Sequence, residues 1–454
     1  MFEMLEGKGL TNPMVAPISN IKINLAGFAY VDDADLFVIS ESDNVDDVHQ
    51  AIQELTNAWE KAAKVIGGAI EPSKCWWYML QFQEMDHSCE YKENHDNRTL
   101  TVLDPKGVEK EIQLFHPTQA QEMIGVFIAP DGNHVQQLKE FEHKLETYAE
   151  KVKTANLHRY EVWTGLQSIV MKSFEYALPV TTLTEKECDK LMWKLLTFFL
   201  PKAGINRYVS RAALYAPAEI RGFGLNNPFL TQGISHVGDI AEHLWKATVT
   251  GHFIKMSLEY TRLELGLNIN ILLSNYEKFK SILCTSSWVR STWQFMSQFG
   301  ITLQNNTRTI EIQRERDSPL MAHVMSNNYV SDAELKTFNK CRMFLRIFNV
   351  SDMTTGDGNY ITTDAWQGTR PTEWNTDFKW PRTKEPTNKE WDVWRSVLCK
   401  SICVDVPQRL DTSLGLWRRK PEKWKWFLTP DHDLIEKAEG SYMIHSVLLG
   451  RIRN

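Results

Sequence analysis

Seven apolar residues, Val45, Val48, Ile52, Leu55, Trp59, Ala62 and Ile66, recur at intervals of 3, 4, 3, 4, 3 and 4. That spacing is one stripe on an α-helix. Asn44 can cap its start, Asp46 and Asp47 suit its first turn, and Gly67–Gly68 stop it. The stretch before it, residues 21–40, reads as two short strands, with β-type apolar residues at Ile21, Ile23, Leu25 and Leu36 to Ile39. Asp32–Asp33 supply the turn between them. Alternation of side chains places Tyr30 and Asp32 on one strand face. After the helix, residues 74–82 read as a strand. Residues 99–115 read as a hairpin turning at Asp104-Pro105-Lys106-Gly107, and residues 122–129 as another strand.

Beyond Asp131 the pattern becomes helical. Val135, Leu138, Phe141, Leu145, Tyr148 and Val152 share one face, and Val162, Leu166, Ile169 and Phe174 another. A third helix covers residues 185–199, with Pro201 closing it. Gly222 and Gly224 bracket a break before helices near 228–249, 254–267, 273–283 and 286–298. Residues 351–390 are rich in Thr, Gly, Pro and Asn and read as a linker or loop-rich lobe. Eight of the 16 Trp lie between Trp366 and Trp426. The expected fold is α+β: a partial antiparallel sheet with packed helices over 1–130, a helical region over 131–350, and a Trp-rich C-terminal region over 351–454.

Length and composition bound the rest. A chain of 454 residues suggests two or three domains. With 43% hydrophobic and 24% charged residues, collagen, wholesale disorder and a membrane bundle are excluded. Seven Cys without a CxxC pair argue against a disulfide framework or a Cys-rich zinc module. The opening MFEMLEGKGLTNP carries acidic residues and no apolar core, unlike a secretory signal. No apolar run approaches the ~18 residues of a spanning helix. The expectation is a soluble intracellular protein without a membrane partner, nuclear or cytoplasmic alike. The net charge of −6 is uneven: residues 1–60 hold 11 Asp/Glu against 2 Lys, so the remaining 394 carry +3. Residues 370–454 hold 16 Lys/Arg against 12 Asp/Glu. This pattern fits either scattered surface charge or an acidic metal site followed by a region that meets a polyanion.

The segment with chemical content is Phe28-Ala29-Tyr30-Val31-Asp32-Asp33. Adjacent carboxylates at a tight turn repel one another unless a cation offsets them. Oxygen-only sites suit Mg²⁺. Two such ions ~3.5–4 Å apart can activate an attacking hydroxyl and stabilise a leaving oxygen in nucleotidyl transfer. The plainer reading is an exposed Asp-rich turn.

FAYVDD resembles the catalytic hairpin of reverse transcriptases, where the pattern is Tyr, any residue, Asp, Asp. The downstream motifs are similar, in order, to those of the non-LTR, LINE-like class. Gly67-Gly68-Ala69-Ile70 with Lys74 resembles its next palm motif, and Met123-Ile124-Gly125-Val126 its primer-grip strand. Tyr215-Ala216-Pro217 and Arg221-Gly222-Phe223-Gly224-Leu225 resemble the stretch after its thumb. The resemblance covers about residues 20–250. It implies RNA-directed DNA polymerisation, with Asp32 and Asp33 as catalytic metal ligands, Mg²⁺ as cofactor, and Lys74 as proton donor to leaving pyrophosphate. It also implies an RNA template and DNA primer as partners, met by Tyr30, Val31, Ile124 and Gly125.

Three features depart from that family. Its members share the metals with a further Asp on an earlier strand, but residues 1–31 offer only Glu3 and Glu6 as acidic residues. Fingers and the substrate-recognition helix have no counterpart, and Glu71-Pro72-Ser73 stands where an Asn usually precedes the motif Lys. The expectation is therefore the rear part of a polymerase, inactive alone, with its N-terminal half accounted for by an upstream partner polypeptide, an alternative start codon or a gene-model error. Two alternatives stay open: a nucleic-acid-binding remnant, or a helical scaffold with a coincidental YVDD turn. A palm requires Tyr30–Asp33 at a hairpin tip flanked by sheet neighbours, with the 45–66 helix on one face.

Other candidates are weaker. Arg418, Arg419, Lys420 and Trp424, with Trp417, Lys425 and Trp426, mix cations and aromatics as single-stranded nucleic-acid sites do, or as a small Trp-packed lobe does. His87, Cys89 and His95 lack a fourth ligand and zinc spacing. Cys399 and Cys403, four apart on a predicted helix, read as core or surface thiols. Asn97-Arg98-Thr99 fits a glycosylation sequon without any sign of secretion.

Overall fold

A computed structural model describes residues 2–416, apart from 41–43, 85–88, 92–97, 284–286, 305–308, 313, 371–377, 382 and 405–407. The chain is mixed α/β, with small, mostly antiparallel sheets followed by a long helical succession. After a short helix α1 (Phe2–Gly7), strand β1 (Asn12–Val15) pairs antiparallel with β2 (Lys22–Leu25), and β3 (Gly27–Tyr30) with β4 (Asp33–Leu36). Among the described residues the two hairpins share no ladder. The buried Asn12 side chain knits them instead. Its amide donates to the carbonyls of Leu25 (3.2 Å) and Phe37 (2.6 Å), and its oxygen accepts from Ile39 N (2.7 Å).

Helix α2 (Val45–Val65) forms as the spacing predicts. Asn44 accepts from Asp46 N at 3.0 Å, and Gly67 takes the left-handed φ of 83° that lets the chain leave. Its stripe divides between two small cores. Leu55, Ala58 and Trp59 pack with Leu5, Ala26 and Leu36. Val45, Val48 and Ile52 pack with Trp77, Met79, Leu100, Val102 and Ile112. That second core belongs to β5 (Trp76–Tyr78), β8 (Leu100–Leu103) and β9 (Glu109–Phe115), ordered β5-β9-β8 with β5 parallel to β9. Between β5 and β8, strand β6 (Phe82–Glu84) pairs antiparallel with β7 (Cys89–Tyr91). Strand β8 is an edge, and α2 covers that edge. Gln53 donates to Thr101 O (2.8 Å) and accepts from Thr101 N (2.9 Å), while Glu60 accepts from Leu103 N (3.1 Å). Helix side chains thus supply the partners that a further strand would give.

The strand expected over 74–82 is shorter. Lys74 lies in a 3₁₀ turn, Pro72–Lys74, capped by Glu71. The strand expected over 122–129 is a hairpin: β10 (Gln121–Met123) and β11 (Val126–Ile128) pair antiparallel around Ile124–Gly125. Both turn residues have positive φ, 49° and 76°, the requirement of a type I′ hairpin turn.

The helices are α3 (Val135–Thr154), α4 (Arg159–Gly165), α5 (Lys172–Glu175), α6 (Glu185–Lys202), α7 (Arg211–Tyr215), α8 (Pro228–His243), α9 (Val249–Leu265), α10 (Trp288–Gln298), α11 (Leu320–Met325), α12 (Asp332–Leu345), α13 (Thr363–Gln367) and α14 (Asn388–Ser401). A π-helical turn, Leu166–Met171, joins α4 to α5. The helix expected over 273–283 is absent. Asn270 and Asn275 accept from Leu272 N and Glu277 N, closing 3₁₀ turns that compete with a continuous helix. One core spans Val126 to Leu225 and a larger one Ile240 to Leu414. The larger runs across residue 350, with Leu345 and Ile347 on one side and Val350, Met353 and Ile361 on the other. It also holds the first hairpins. Glu259 of α9 accepts from Ile18 N and Ser19 N, both at 2.9 Å, and Lys379 N donates to Pro17 O at 2.8 Å. No helix among the described residues is long and apolar enough to cross a membrane.

Candidate functional site

The carboxylate turn sits at the tip of the β3–β4 hairpin. The register Tyr30↔Asp33 leaves Val31 and Asp32 as a two-residue loop. Asp32 therefore occupies the turn, not a strand, and does not share Tyr30's face as alternation along one strand suggested. Asp33 shares it, as Tyr30's cross-strand partner. The pairs Phe28↔Asp35 and Tyr30↔Asp33 line one face, and Gly27↔Leu36 and Ala29↔Ala34 the other. Leu36 turns toward Leu55 and Trp59 of α2, so the helix covers the second face, while the acidic face meets α9 through Phe28 and is exposed at Tyr30 and Asp33. Gly27 is required: a Cβ there would lie 2.0 Å from the Asp35 carbonyl oxygen. The tip is open, with Tyr30 65% and Val31 88% exposed. The hairpin rests on α9 through Phe28 and Phe253, whose ring centroids are 6.2 Å apart.

Val31 has φ 57°. Left-handed backbone is rare for a β-branched residue, and hairpin turns normally place glycine at such a position. The other β-branched residue in this region is Ile124, at the tip of the second hairpin. There Tyr176 donates its hydroxyl to Ile124 O at 2.8 Å, and Gln137 of α3 accepts from Phe127 N at 2.8 Å. Such outliers persist only where surrounding structure over-determines them, and they cluster at functional sites.

Two residues join the site that motif reading did not single out. Asp35 lies half-buried on the acidic face, where burial and then the Asp33 charge push its carboxyl above the ordinary value. Its position two residues from Asp33 on a strand is a signal the sequence carried. Tyr78 of β5 had no such signal. Burial, then the Asp35 charge, push its phenol up to about 12, so it stays a neutral donor. It donates to Gln119 O at 2.9 Å, two residues before β10. Tyr78 thereby holds the loop ahead of the second hairpin while its ring lies within the field of Asp35.

Lys74 is exposed in its 3₁₀ turn, and no cation is among the charges that act on Asp35. Among the described residues, no hydrogen bond or ion pair brings Lys74 to the carboxylates. No group of three or more His, Cys, Asp or Glu side chains is gathered to hold a metal ion among them either. The acidic face offers oxygen donors of the kind Mg²⁺ prefers, yet among the described residues no opposing carboxylate faces them, so they do not fit a two-ion cage. Arg418, Arg419, Lys420 and Trp424, with Trp417, Lys425 and Trp426, lie outside the described residues, as do His87, His95, Asn97 and the Cys89 side chain. The described part of the helical region carries its own aromatic–cation pairs. Arg211 lies 5.4 Å over the exposed Trp193 ring, and Arg207 4.8 Å over the exposed Tyr208 ring.

No protein-family model, no curated protein and no solved structure matches the chain.

Proposed function

We propose that this chain provides the carboxylate-hairpin portion of a reverse-transcriptase-like polymerase, of the non-LTR type its motifs resemble. Residues 1–130 correspond to part of a palm, 131–350 to a thumb-like region, and 351–454 to a Trp-rich C-terminal region. The observation that carries the reading is the exposed Tyr30–Asp33 hairpin tip, kinked at Val31 and backed by α2 on the opposite face. Of the features a palm requires, the flanking sheet neighbours are not met among the described residues, where β3 and β4 pair only with each other. In this reading Asp32 and Asp33 are the chain's contribution to Mg²⁺ binding. Tyr30 and Val31 line the path of the primer terminus, and the Ile124–Gly125 turn, braced by Tyr176, grips the primer. Because these carboxylates do not complete a two-ion cage, the nucleotidyl-transfer step is not assigned to this chain alone. Nor does the structure bring Lys74 into the carboxylate cluster. Its role as proton donor rests on the motif resemblance.

A second reading, nucleic-acid binding without catalysis, is favoured by the Arg211–Trp193 and Arg207–Tyr208 pairs. Exposed aromatic rings can stack on unpaired bases while guanidinium groups meet phosphates.

The test is binding and dNTP incorporation on a primed RNA template with Mg²⁺. The purified chain should bind weakly, with the logarithm of affinity falling linearly against log salt, and should not extend the primer. Loss of binding on Trp193→Ala with Tyr208→Ala would locate the contact in the helical region. No binding at low salt would overturn both readings. Extension that disappears in Asp32→Asn would show that the chain carries a complete cage and that the missing carboxylate has been misplaced.

A further inference from the structure

The stretch from Tyr215 to Leu225, which the carboxylate hairpin does not use, folds into a tight knot. The chain leaves α7, turns at Ala218–Ile220 and comes back along itself. Phe223 N donates to Ala213 O at 3.0 Å, Gly224 N to Ala216 O at 2.9 Å and Leu225 N to Leu214 O at 3.1 Å. Gly222 permits the crossing, because a Cβ there would lie 2.0 Å from the Ala216 carbonyl oxygen. The knot sets the Gly224 carbonyl against the π-helical turn, where Gln167 donates to it at 3.3 Å. Between the two lies an open cleft of about 380 Å³, lined by Gln167, Ser168, Met171, Lys172, Gly224 and Asn226. Small-ligand sites run from roughly 300 to 1,000 Å³, and π-helical turns recur at functional sites.

The lining has a definite chemistry. The buried Met171 gives a polarisable thioether wall, which suits an aromatic ring. The two amides are each anchored by one N–H, Gln167 to Gly224 O and Asn226 to a Glu175 carboxylate oxygen at 2.9 Å. Among the described residues no hydrogen bond takes up their carbonyl oxygens. Each amide therefore presents an acceptor and a second N–H in one fixed plane, the pattern that pairs with the edge of a base. Glu175 also accepts from Lys172 at 2.6 Å, so the cation of the lining is already paired and does not single out a phosphate. Tyr176, four residues beyond Lys172, donates to Ile124 O, which places the cleft a helical turn from the tip of the second hairpin.

We propose that this cleft is a binding site for a single unpaired nucleobase, its edge read by Gln167 and Asn226 and its face against Met171. A free nucleoside and a single strand can both bring that base. The site needs no polymerase chemistry and stands apart from the carboxylate hairpin.

The probes are iodouridine and a short single-stranded oligonucleotide carrying iodouracil, each photolysed with the full chain. Trypsin cuts after Arg159, Lys172, Arg221 and Lys246, so the two walls fall in peptides 160–172 and 222–246. The label should appear in these peptides. Excess unlabelled probe should compete it off, and a fully abasic oligonucleotide should not. Labelling by the nucleoside shows that the base alone suffices, and labelling by the oligonucleotide alone shows that a strand must deliver it. Gln167→Leu with Asn226→Leu should cut the labelling about tenfold, the loss expected of one bidentate amide–base pair. The slope of log affinity against log salt should stay the same, because the lost contact is to a base. The competition arms use the unsubstituted chain and decide the matter even if the double variant misfolds. Label confined to other peptides, an abasic strand that competes as well as the base-bearing one, or a shallower salt slope in a folded variant would overturn the proposal. A chain that labels here without binding primed RNA template keeps this site and loses the polymerase reading, and template binding without label here does the reverse.

Discussion

Replacing Val31 by glycine should tighten the carboxylate hairpin. Val31 stands alone in its turn with positive φ, and an L side chain in left-handed backbone costs roughly 1–2 kcal/mol. Glycine removes that strain but adds roughly 0.5–1 kcal/mol of conformational entropy to be lost on folding. The valine side chain is 88% exposed, so its removal sacrifices almost no apolar burial. The net gain lies between about 0 and 1.5 kcal/mol, with a central value of about 0.75 kcal/mol, which slows local opening about three- to fourfold. Hydrogen–deuterium exchange of peptides covering residues 27–36 reads this directly, because they hold the whole β3–β4 ladder. Val31→Ala keeps a Cβ at the same φ and should change exchange far less. Equal or faster exchange in Val31→Gly would show that the kink is not strained, and would remove the argument that the surrounding fold enforces it for function.

Three further outcomes are expected. Burial lowers His236 to about 4 and lowers His134 as well, against the opposing charges of Glu187 and Asp131, so the unfolded chain takes up protons that the folded one refuses. Stability is therefore fully present above about pH 6.5 and falls as pH drops from there toward 4. Urea midpoints should follow this slope and flatten in His236→Asn, and an unchanged slope in the variant would refute the assignment. Arg342 is fully buried and donates to the carbonyls of Leu263, Glu264 and Ile347 and to the Asn339 side chain. Arg342→Met should lower stability by about 3 kcal/mol or more in thermal unfolding, whereas a loss under about 1 kcal/mol would mean that water reaches those carbonyls. Gln53→Ala should cost roughly 1–3 kcal/mol by baring the Thr101 backbone, seen as faster exchange over 100–103, with the exposed Gln50→Ala as a near-neutral control.

Local signals in the sequence determined the elements that short-range forces decide. The Val45–Ile66 spacing, the Asn44 cap and the Gly67 exit define α2 because periodicity and capping act within a turn or two of the chain. The apolar strands around Asp32–Asp33 define the hairpin for the same reason. Gly125 carried a turn signal too, but Glu122–Ala129 read as one strand because apolar content alone does not distinguish a strand from a tight hairpin. Only the tertiary structure decided which face of the carboxylate hairpin α2 would cover, and hence that Asp33 and Asp35 stand on the side away from that helix. It also decided that Gln53 and Glu60 would pair the edge of β8 and that Tyr78 would reach the Gln119 carbonyl ahead of the second hairpin. Each of these depends on partners far apart in the chain. Such contacts form only when the entropy of closing the intervening loops is repaid by burial elsewhere, and no local pattern encodes that balance.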